Sequence, residues 1–565
     1  MKTAHTPPLL RRLLPFLAII FMTGMTGGCI SAGSAQQTSI PASGIITVAV
    51  DVTKNRRAIN PMIYGAAYAE DAAIKDLRLP NHRLGGNNTS RYNWRENADN
   101  RGNDWFFQSI GDKSAVPGER VDTFIRRSRQ NGAEPMVTIP IIGHVAKLGP
   151  DRGKLWSYSV AKYGAQQKTD EYNKDSGNGT KSDGKPVTGN SPLDANIVAD
   201  ALYQKPWLQN IVKVNGAANR KGLRYYVLDN EPGIWHSTHR DVHPVGAKMD
   251  EVRDKSVAMA AMIKSVDPSA QVLGPEEWGW TGYMYSGFDS QWGGSHGWLM
   301  LPDKLAHGNK EFVAWYLEAM KAAEARTGER LLDVFTLHIY PQGGEFSSNV
   351  SEAMQEKRNR STRSLFDPTY KDETWINDTV RLLPRMKDWV RDNYPGTQTG
   401  ITEYNWGAEK HINGATAQAD IYGIFGREGL DVGSRWTTPP TDSPTYNAMK
   451  LFRNYDGKGA GFGETSVAAS ASAPYEAVTA YAAERKDGTI TVLVVSKGVA
   501  EKPTTRQVSL KIAGKAVGAK AQVWQIGSAD GGAIRQKATV DIPAGSTTLS
   551  LPSPSVTLLI VPAAK

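Results

Sequence analysis

Eight short apolar runs recur between Pro61 and Pro439: PMIYGAAY, HRLGGN, EPMVTIPII, YYVLDNEP, AQVLGPEE, DVFTLHIYP, TGITEYNWG and DVGSRWTTP, each followed by polar or Gly-rich residues. Among them lie AADALYQKPWLQNIVKVNG, EVRDKSVAMAAMIKSV, KEFVAWYLEAMKAAEART and DTVRLLPRMKDWVRDNY, whose apolar residues fall at helical spacing. Eight strands joined by crossover helices can close into a (β/α)8 barrel, which builds its active site at the C-terminal strand ends. A doubly wound open sheet is the competing layout. Its nucleotide-binding forms lose support, because no Gly-rich phosphate loop opens any of these helices. The expected fold class is α/β: a (β/α)8 TIM-like barrel over 59–460 with a C-terminal all-β sandwich over 461–565.

The boundary near Gly461 is a change of texture. AVTAYAAERKDGTITVLVVSK, RQVSLKIAG, AKAQVWQIG and TTLSLPSPSVTLLIVP alternate apolar and polar residues between Gly, Ser and Pro, with no helical stretch. GIITVAVDV, within 36–58, has the same texture and is expected to add a strand to that sandwich. Fourteen of the 15 tryptophans lie between Trp94 and Trp436, so the ligand chemistry belongs to the barrel. The polar, aperiodic segment 157–196 follows the third strand run and is expected to form a long loop over the barrel mouth.

Residues 1–35 read as a signal peptide: Lys2, Arg11 and Arg12 precede LLPFLAIIFM, and small residues follow in TGGCISAGSA. Two endings stay open, lipidation of Cys29 after TGG and ordinary cleavage near Ala35. Either predicts export from a bacterial cell to a secreted, periplasmic or lipid-anchored state, with membrane contact only through Cys29. Cys29 is the only cysteine, so no disulfide supports the fold. The net charge of +9 is scattered among acidic residues, and no basic stripe with stacking residues marks a nucleic-acid site. The chain is expected to act as a monomer.

Glu231 ends the fourth run and Glu403 the seventh, so in a barrel both carboxylates project into one mouth. Glycosidic cleavage needs such a pair: one carboxyl protonates the leaving oxygen, and the other attacks the sugar carbon or activates water. Asn230 is placed to hydrogen-bond the sugar 2-hydroxyl, and Tyr340 to donate to Glu403. Trp94, Trp105, Trp235, Trp278, Trp280, Trp406 and Trp436 closely follow strand runs and can act as flat platforms for sugar rings. His236, His239 and His243 sit at a spacing that could hold a metal, but no HExxH pattern accompanies them and a two-carboxylate reaction needs none. Substrate contact or loop packing is the expectation for these histidines, with His239 placed among the substrate-binding residues. No cofactor is required for catalysis.

The stretches RLGGNNTSRYNWRENADNRGNDW, SVAKYGAQQKTDEYN, LDNEPGIWHSTHRDVHP, LHIYPQGGEF and ITEYNWGAEKHINGATAQADIYGIFGREGLDVGSRW resemble glycoside hydrolase family 44 over nearly the whole barrel. The resemblance implies retaining endo-hydrolysis of β-1,4-glucans, chiefly xyloglucan and soluble cellulose, with Glu231 as acid/base and Glu403 as nucleophile. It also implies a structural calcium ion in some members, with ligands the sequence does not assign. A polysaccharide is then the partner. The rival readings are a β-mannanase or xylanase on the same scaffold and a non-catalytic glucan-binding surface protein.

Overall fold

A computed structural model describes residues 44–564. The segment 1–35, with Cys29 and Ala35, lies outside the described residues. After β1 (Ile46–Asp51) come eight strands: β2 (Gly65–Ala67), β3 (Asn81–Leu84), β4 (Glu134–Ile139), β5 (Tyr225–Leu228), β6 (Gln271–Glu277), β7 (Val334–Ile339), β8 (Gln398–Tyr404) and β9 (Val432–Arg435). They pair in parallel and in chain order, and β9 returns to β2 to close the barrel. Each of the eight sequence runs contributes one strand. The helices that follow the strands are α1 (Asp71–Leu77), α2 (Glu119–Gln130), α3 (Ala201–Asn215), α4 (Met249–Val266), α5 (Phe312–Thr327), α6 (Leu382–Asn393), α7 (Ile412–Glu428) and α8 (Pro444–Arg453).

Side-chain alternation explains why the strand runs look uniformly apolar. Met136, Tyr225, Val227, Leu273, Val334 and Val432 meet inside the barrel. Their chain neighbours Val137, Tyr226, Leu228, Val272 and Phe335 join the core under the helices. With both faces buried, apolar residues dominate the lower strands, and the exceptions Asn81 and His82 are hydrogen-bonded to Met62 O and Ser128 Oγ. Local chemistry sets the helix ends. The Asp200 carboxylate accepts from Tyr203 N and starts α3, and Gly328 at φ +74° stops α5.

The segment 157–196 is less loose than its composition suggests. Residues 98–100, 108–111 and 155–156 form a three-stranded antiparallel ribbon, and 144–146 pairs with 196–198. Asp241, buried, ties these pieces together. It pairs with Arg91 at 3.0 Å and accepts from Ser157 Oγ at 2.6 Å.

The remaining strands are β10 (Thr465–Ala471), β11 (Val478–Glu484), β12 (Ile490–Ser496), β13 (Thr504–Ala513), β14 (Lys520–Gly527), β15 (Ile534–Asp541), β16 (Ser546–Ser553) and β17 (Ser555–Val561). Their order is β15-β14-β17-β12-β11-β10-β1-β13-β16. Strand β1 lies in this sheet, antiparallel to β10 and parallel to β13. Thr465–Val467 pair with β11 and the rest of β10 with β1, so the sheet folds over there. The two halves enclose Val48, Val50, Val492, Val494, Val508, Leu510 and Leu551. The opposite face of β11, β12 and β17, carrying Tyr481, Leu493, Val495, Leu558 and Ile560, belongs to the barrel's own core cluster. Among the described residues no helix is long and apolar enough to cross a membrane.

Helix α7 fills the seam, buried from Ile412 to Gly426. A Cβ on Gly423 would stand 2.4 Å from the Tyr481 ring, so glycine lets the sheet approach. Asp420 of α7 pairs with Lys497 at 2.5 Å, each side chain 1% exposed. Removing one partner of such a pair strands a buried charge, at a cost of about 3–5 kcal/mol. Lys497→Met is therefore expected to lower the melting temperature by several degrees in scanning calorimetry. An unchanged melt would show that the pair does not secure the seam.

Candidate active site

The C-terminal strand ends bend to aim polar side chains inward. Asp229, Glu231 and Glu276 adopt left-handed backbone at φ +59°, +50° and +62°. This is costly for residues with a Cβ and is concentrated where side chains must converge. Register shifts at Pro275/Glu277 and opposite Leu337/His338 mark bulges on β6 and β8, with Glu276 and Thr402 as the extra residues, and His338 then lies directly beside Glu403. Asp229 holds the strained turn from below, accepting from Ile142 N at 2.9 Å and Asn230 N at 2.8 Å.

Arg83, 0% exposed, is the hub of the site. Its guanidinium donates to Glu403 Oε1 at 2.6 Å, Glu276 Oε2 at 2.9 Å and Asn230 Oδ1 at 3.1 Å. Tyr340 OH donates to Glu403 Oε2 at 2.9 Å. His338 reaches Glu231 Oε1 through Nδ1 at 2.9 Å and Glu276 Oε2 through Nε2 at 3.0 Å. Thr402 Oγ1 donates to the other oxygen of Glu276 at 2.9 Å.

Proton affinities follow from this wiring. Burial raises Glu231, and the nearby Glu403 charge adds to it against the hydrogen bond and charge of His338. Burial alone would raise Glu276, but Arg83 and His338 hold it down at about 2. Burial alone would lower His338, but Glu403, Glu231 and Glu276 raise it to about 10, so the ring is an imidazolium. Glu277, buried behind Glu231 and bonded to Gly233 N at 3.1 Å, is pushed far up by burial and by Glu231. The site thus combines a fixed cationic frame with two carboxyls, Glu231 and Glu277, biased toward holding a proton, and of these Glu231 faces Glu403.

The structure brings together Glu231, Glu403, Asn230 and Tyr340. Trp436 joins them at the rim: its ring would lie 2.5 Å from a Cβ on Gly86, whose N–H donates to Asn230 Oδ1 at 3.2 Å. Trp105 is 39% exposed, and Trp278 is half-buried. Three expectations are revised. Trp235 is 0% exposed and donates to Asn230 O at 3.0 Å; His239 is 0% exposed against Arg91; Trp406 is 3% exposed and donates to Ser361 Oγ at 3.0 Å. The faces of Trp235 and His239 are closed to a substrate because the chain after Glu231 turns down into the packing, and Trp406 is closed by its own packing against Ser361. Trp94 is half-buried, donating to Tyr203 O at 3.3 Å with Arg95 over its ring. Arg83, Glu276, Glu277 and His338 were not singled out as site residues from sequence. Their signal was a charged or imidazole side chain at an inward position of an otherwise apolar strand end.

Glu231, His338 and Glu403 place ligating atoms within 4.8 Å of one another. They do not fit the calcium ion that the family resemblance implies. The ring nitrogens of His338 are engaged by carboxylates, and Arg83 already faces Glu403 at 2.6 Å. Calcium prefers an all-oxygen shell without a fixed cation beside it.

Residues 98–343 match the family model described as Glycoside hydrolase family 44. A solved structure of CelM2, a bifunctional glucanase-xylanase protein from a metagenome library, is 54% identical and superposes with a TM-score of 0.90 over 92% of this chain and 99% of that one. A Paenibacillus polymyxa xyloglucanase from Glycoside Hydrolase Family 44 is 27% identical, with a TM-score of 0.76 over 92% of this chain and 100% of its own. Beta-mannanase/endoglucanase A of Caldicellulosiruptor saccharolyticus is 32% identical over 521 residues, 85% of this chain. The chain spans about a third of that relative's length, 36%.

The two depressed or raised groups bracket the pH range of full stability. Glu276 lies below its ordinary 4.5, so its contribution is complete above 4.5 and is lost as pH falls toward 2. His338 lies above its ordinary 6.5, so its contribution is complete below 6.5 and is lost as pH rises toward 10. Melting temperature against pH should therefore fall on both sides of that plateau, and Glu276→Gln should flatten the acid side. An equally steep acid limb in the variant would show that the charge of Glu276 does not set it.

Proposed function

The chain belongs to glycoside hydrolase family 44, and from that premise we propose that it is a retaining, endo-acting hydrolase of β-1,4-glucan backbones, with xyloglucan and soluble cellulose as substrates. One observation carries the reading. The carboxylate oxygens of Glu231 and Glu403 approach within 4.8 Å across the barrel mouth. Double displacement uses carboxyl groups about 5–5.5 Å apart, whereas an inverting enzyme leaves room for water at about 6.5–9.5 Å.

Glu403 attacks the anomeric carbon while Glu231 gives its proton to the departing sugar oxygen. Arg83 and Tyr340 hold one oxygen of Glu403 each, fixing its line of attack. His338 holds Glu231 Oε1 and leaves Oε2 for proton transfer. Forming the glycosyl ester consumes the Glu403 charge that helped raise Glu231. Glu231, whose proton has left with the departing sugar, therefore stays ionised and serves as base toward the incoming water.

The reading extends to residues 1–35 as an export signal, to a lipid anchor on Cys29 or cleavage near Ala35, and to a monomer in solution. The mass of the mature N-terminus and light scattering decide these. The likeness to CelM2, a glucanase-xylanase, and to Beta-mannanase/endoglucanase A favours a second reading, a xylanase or mannanase on the same site. Reducing-sugar release from xyloglucan, carboxymethyl cellulose, glucomannan and xylan, measured side by side, separates the two.

Glu231→Gln should lose about 10²–10⁴-fold in rate, the usual worth of a general acid, and abolish the fast viscosity drop expected of an endo-enzyme. With an activated aryl cellobioside, azide should rescue Glu403→Ala to an α-glycosyl azide, since the anion replaces the nucleophile on its own face. Azide should rescue Glu231→Ala to a β-glycosyl azide by opening the glycosyl-enzyme. An α-configured sugar released by the wild-type enzyme would overturn retention. Chelation with EDTA should leave the rate unchanged, and a loss restored by calcium would overturn the metal-free mechanism.

A further inference from the structure

Asn230 is oriented without ambiguity. Its Oδ1 accepts from Arg83 Nη2 at 3.1 Å and from the backbone N–H of Gly86 at 3.2 Å, so its amide NH2 points the other way. That group donates to Asn87 Oδ1 at 3.2 Å. Asn87 is thereby oriented in turn, and its own NH2 donates to Asp104 at 3.2 and 3.3 Å, one contact to each carboxylate oxygen. Donor and acceptor match at every junction of a relay that starts on Arg83 and ends on Asp104, which is solvent-exposed.

The far end of the relay is held firmly. Asp104 sits on the 3-10 turn Gly102–Trp105, where Gly102 has φ +52°. A Cβ there would stand 2.5 Å from Thr238 O and 2.9 Å from His239 Nδ1, so the turn presses on the segment that carries Trp235. Trp235 donates to Asn230 O. Both ends of the relay therefore rest on one buried support.

On the reading of the site given above, we propose that Asp104 is a positioning residue for the glycosidic reaction. Through Asn87 it fixes the plane and donor direction of the Asn230 amide. One N–H of Asn230 is committed to Asn87, and the other is left to meet the sugar hydroxyl next to the reacting carbon. A negatively charged acceptor at the end of the relay polarises both amides and strengthens that last donor. Since the hydroxyl contact tightens as charge develops on the sugar ring, the effect belongs to the transition state.

The test is a double-mutant cycle on an aryl cellobioside with Asp104→Ala, Asn230→Ala and the double variant, alongside Asp104→Asn. Asp104→Ala should lower kcat about tenfold with KM unchanged, the worth of one charge-assisted hydrogen bond. The same change in the Asn230→Ala background should have almost no further effect, because its route is gone. Asp104→Asn, which can still accept from Asn87, should recover most of the loss. Additive losses, or a raised KM with kcat intact, would overturn the proposal and make Asp104 a direct substrate contact. No loss at all would overturn it outright. Failure of the hydrolytic reading itself shows separately, as a Glu403→Ala enzyme that remains active.

Discussion

A single buried guanidinium organises the active centre. Arg83 reaches Glu403, Glu276 and Asn230 from one inward position on β3, three partners contributed by three other strands. Only a planar, multi-donor cation can satisfy that many acceptors at once, and lysine would leave some of them unpaired. The same contact sets the charge pattern. With Arg83 and His338 facing Glu276 and Glu403, Glu231 and Glu277 are the carboxyls that favour a proton, and of the two Glu231 faces Glu403. Strand register, the bulges on β6 and β8, and the left-handed residues around Asn230 all serve to bring partners within reach of Arg83.

The barrel was legible because its strands are apolar on both faces while its helices are amphipathic, and the two periods separate cleanly along the chain. Helix α7 was not, since GATAQADIYGIFG has no polar face to reveal its period. The structure shows why: it is wrapped by the barrel on one side and the sandwich on the other. The two glutamates could be read from their strand-end positions. The charged residues around them could not, because a lone Arg in HRLGGN or a His in LHIYP looks like a loop-edge residue until the barrel closes.

The tryptophans teach the opposite lesson. Trp235 and Trp406 follow strand ends as closely as Trp436 does, yet only Trp436 has its ring at the rim. Nearness in sequence to a catalytic carboxylate does not say which way the chain turns next. After Glu231 it dives, and Trp235 becomes the floor under Asn230. The histidines of HSTHRDVH follow it down, where His239 supports the turn bearing Asp104.

The folded-over sheet has an architectural consequence. Its inner layer has no free face: one side closes the sandwich and the other completes the hydrophobic core of the barrel, while β1 lies in the opposite layer between β10 and β13. The sandwich is therefore not an accessory module that evolution or an engineer could swap for another. The two halves form one inheritable unit, and new domains can join it only through its surface or its termini.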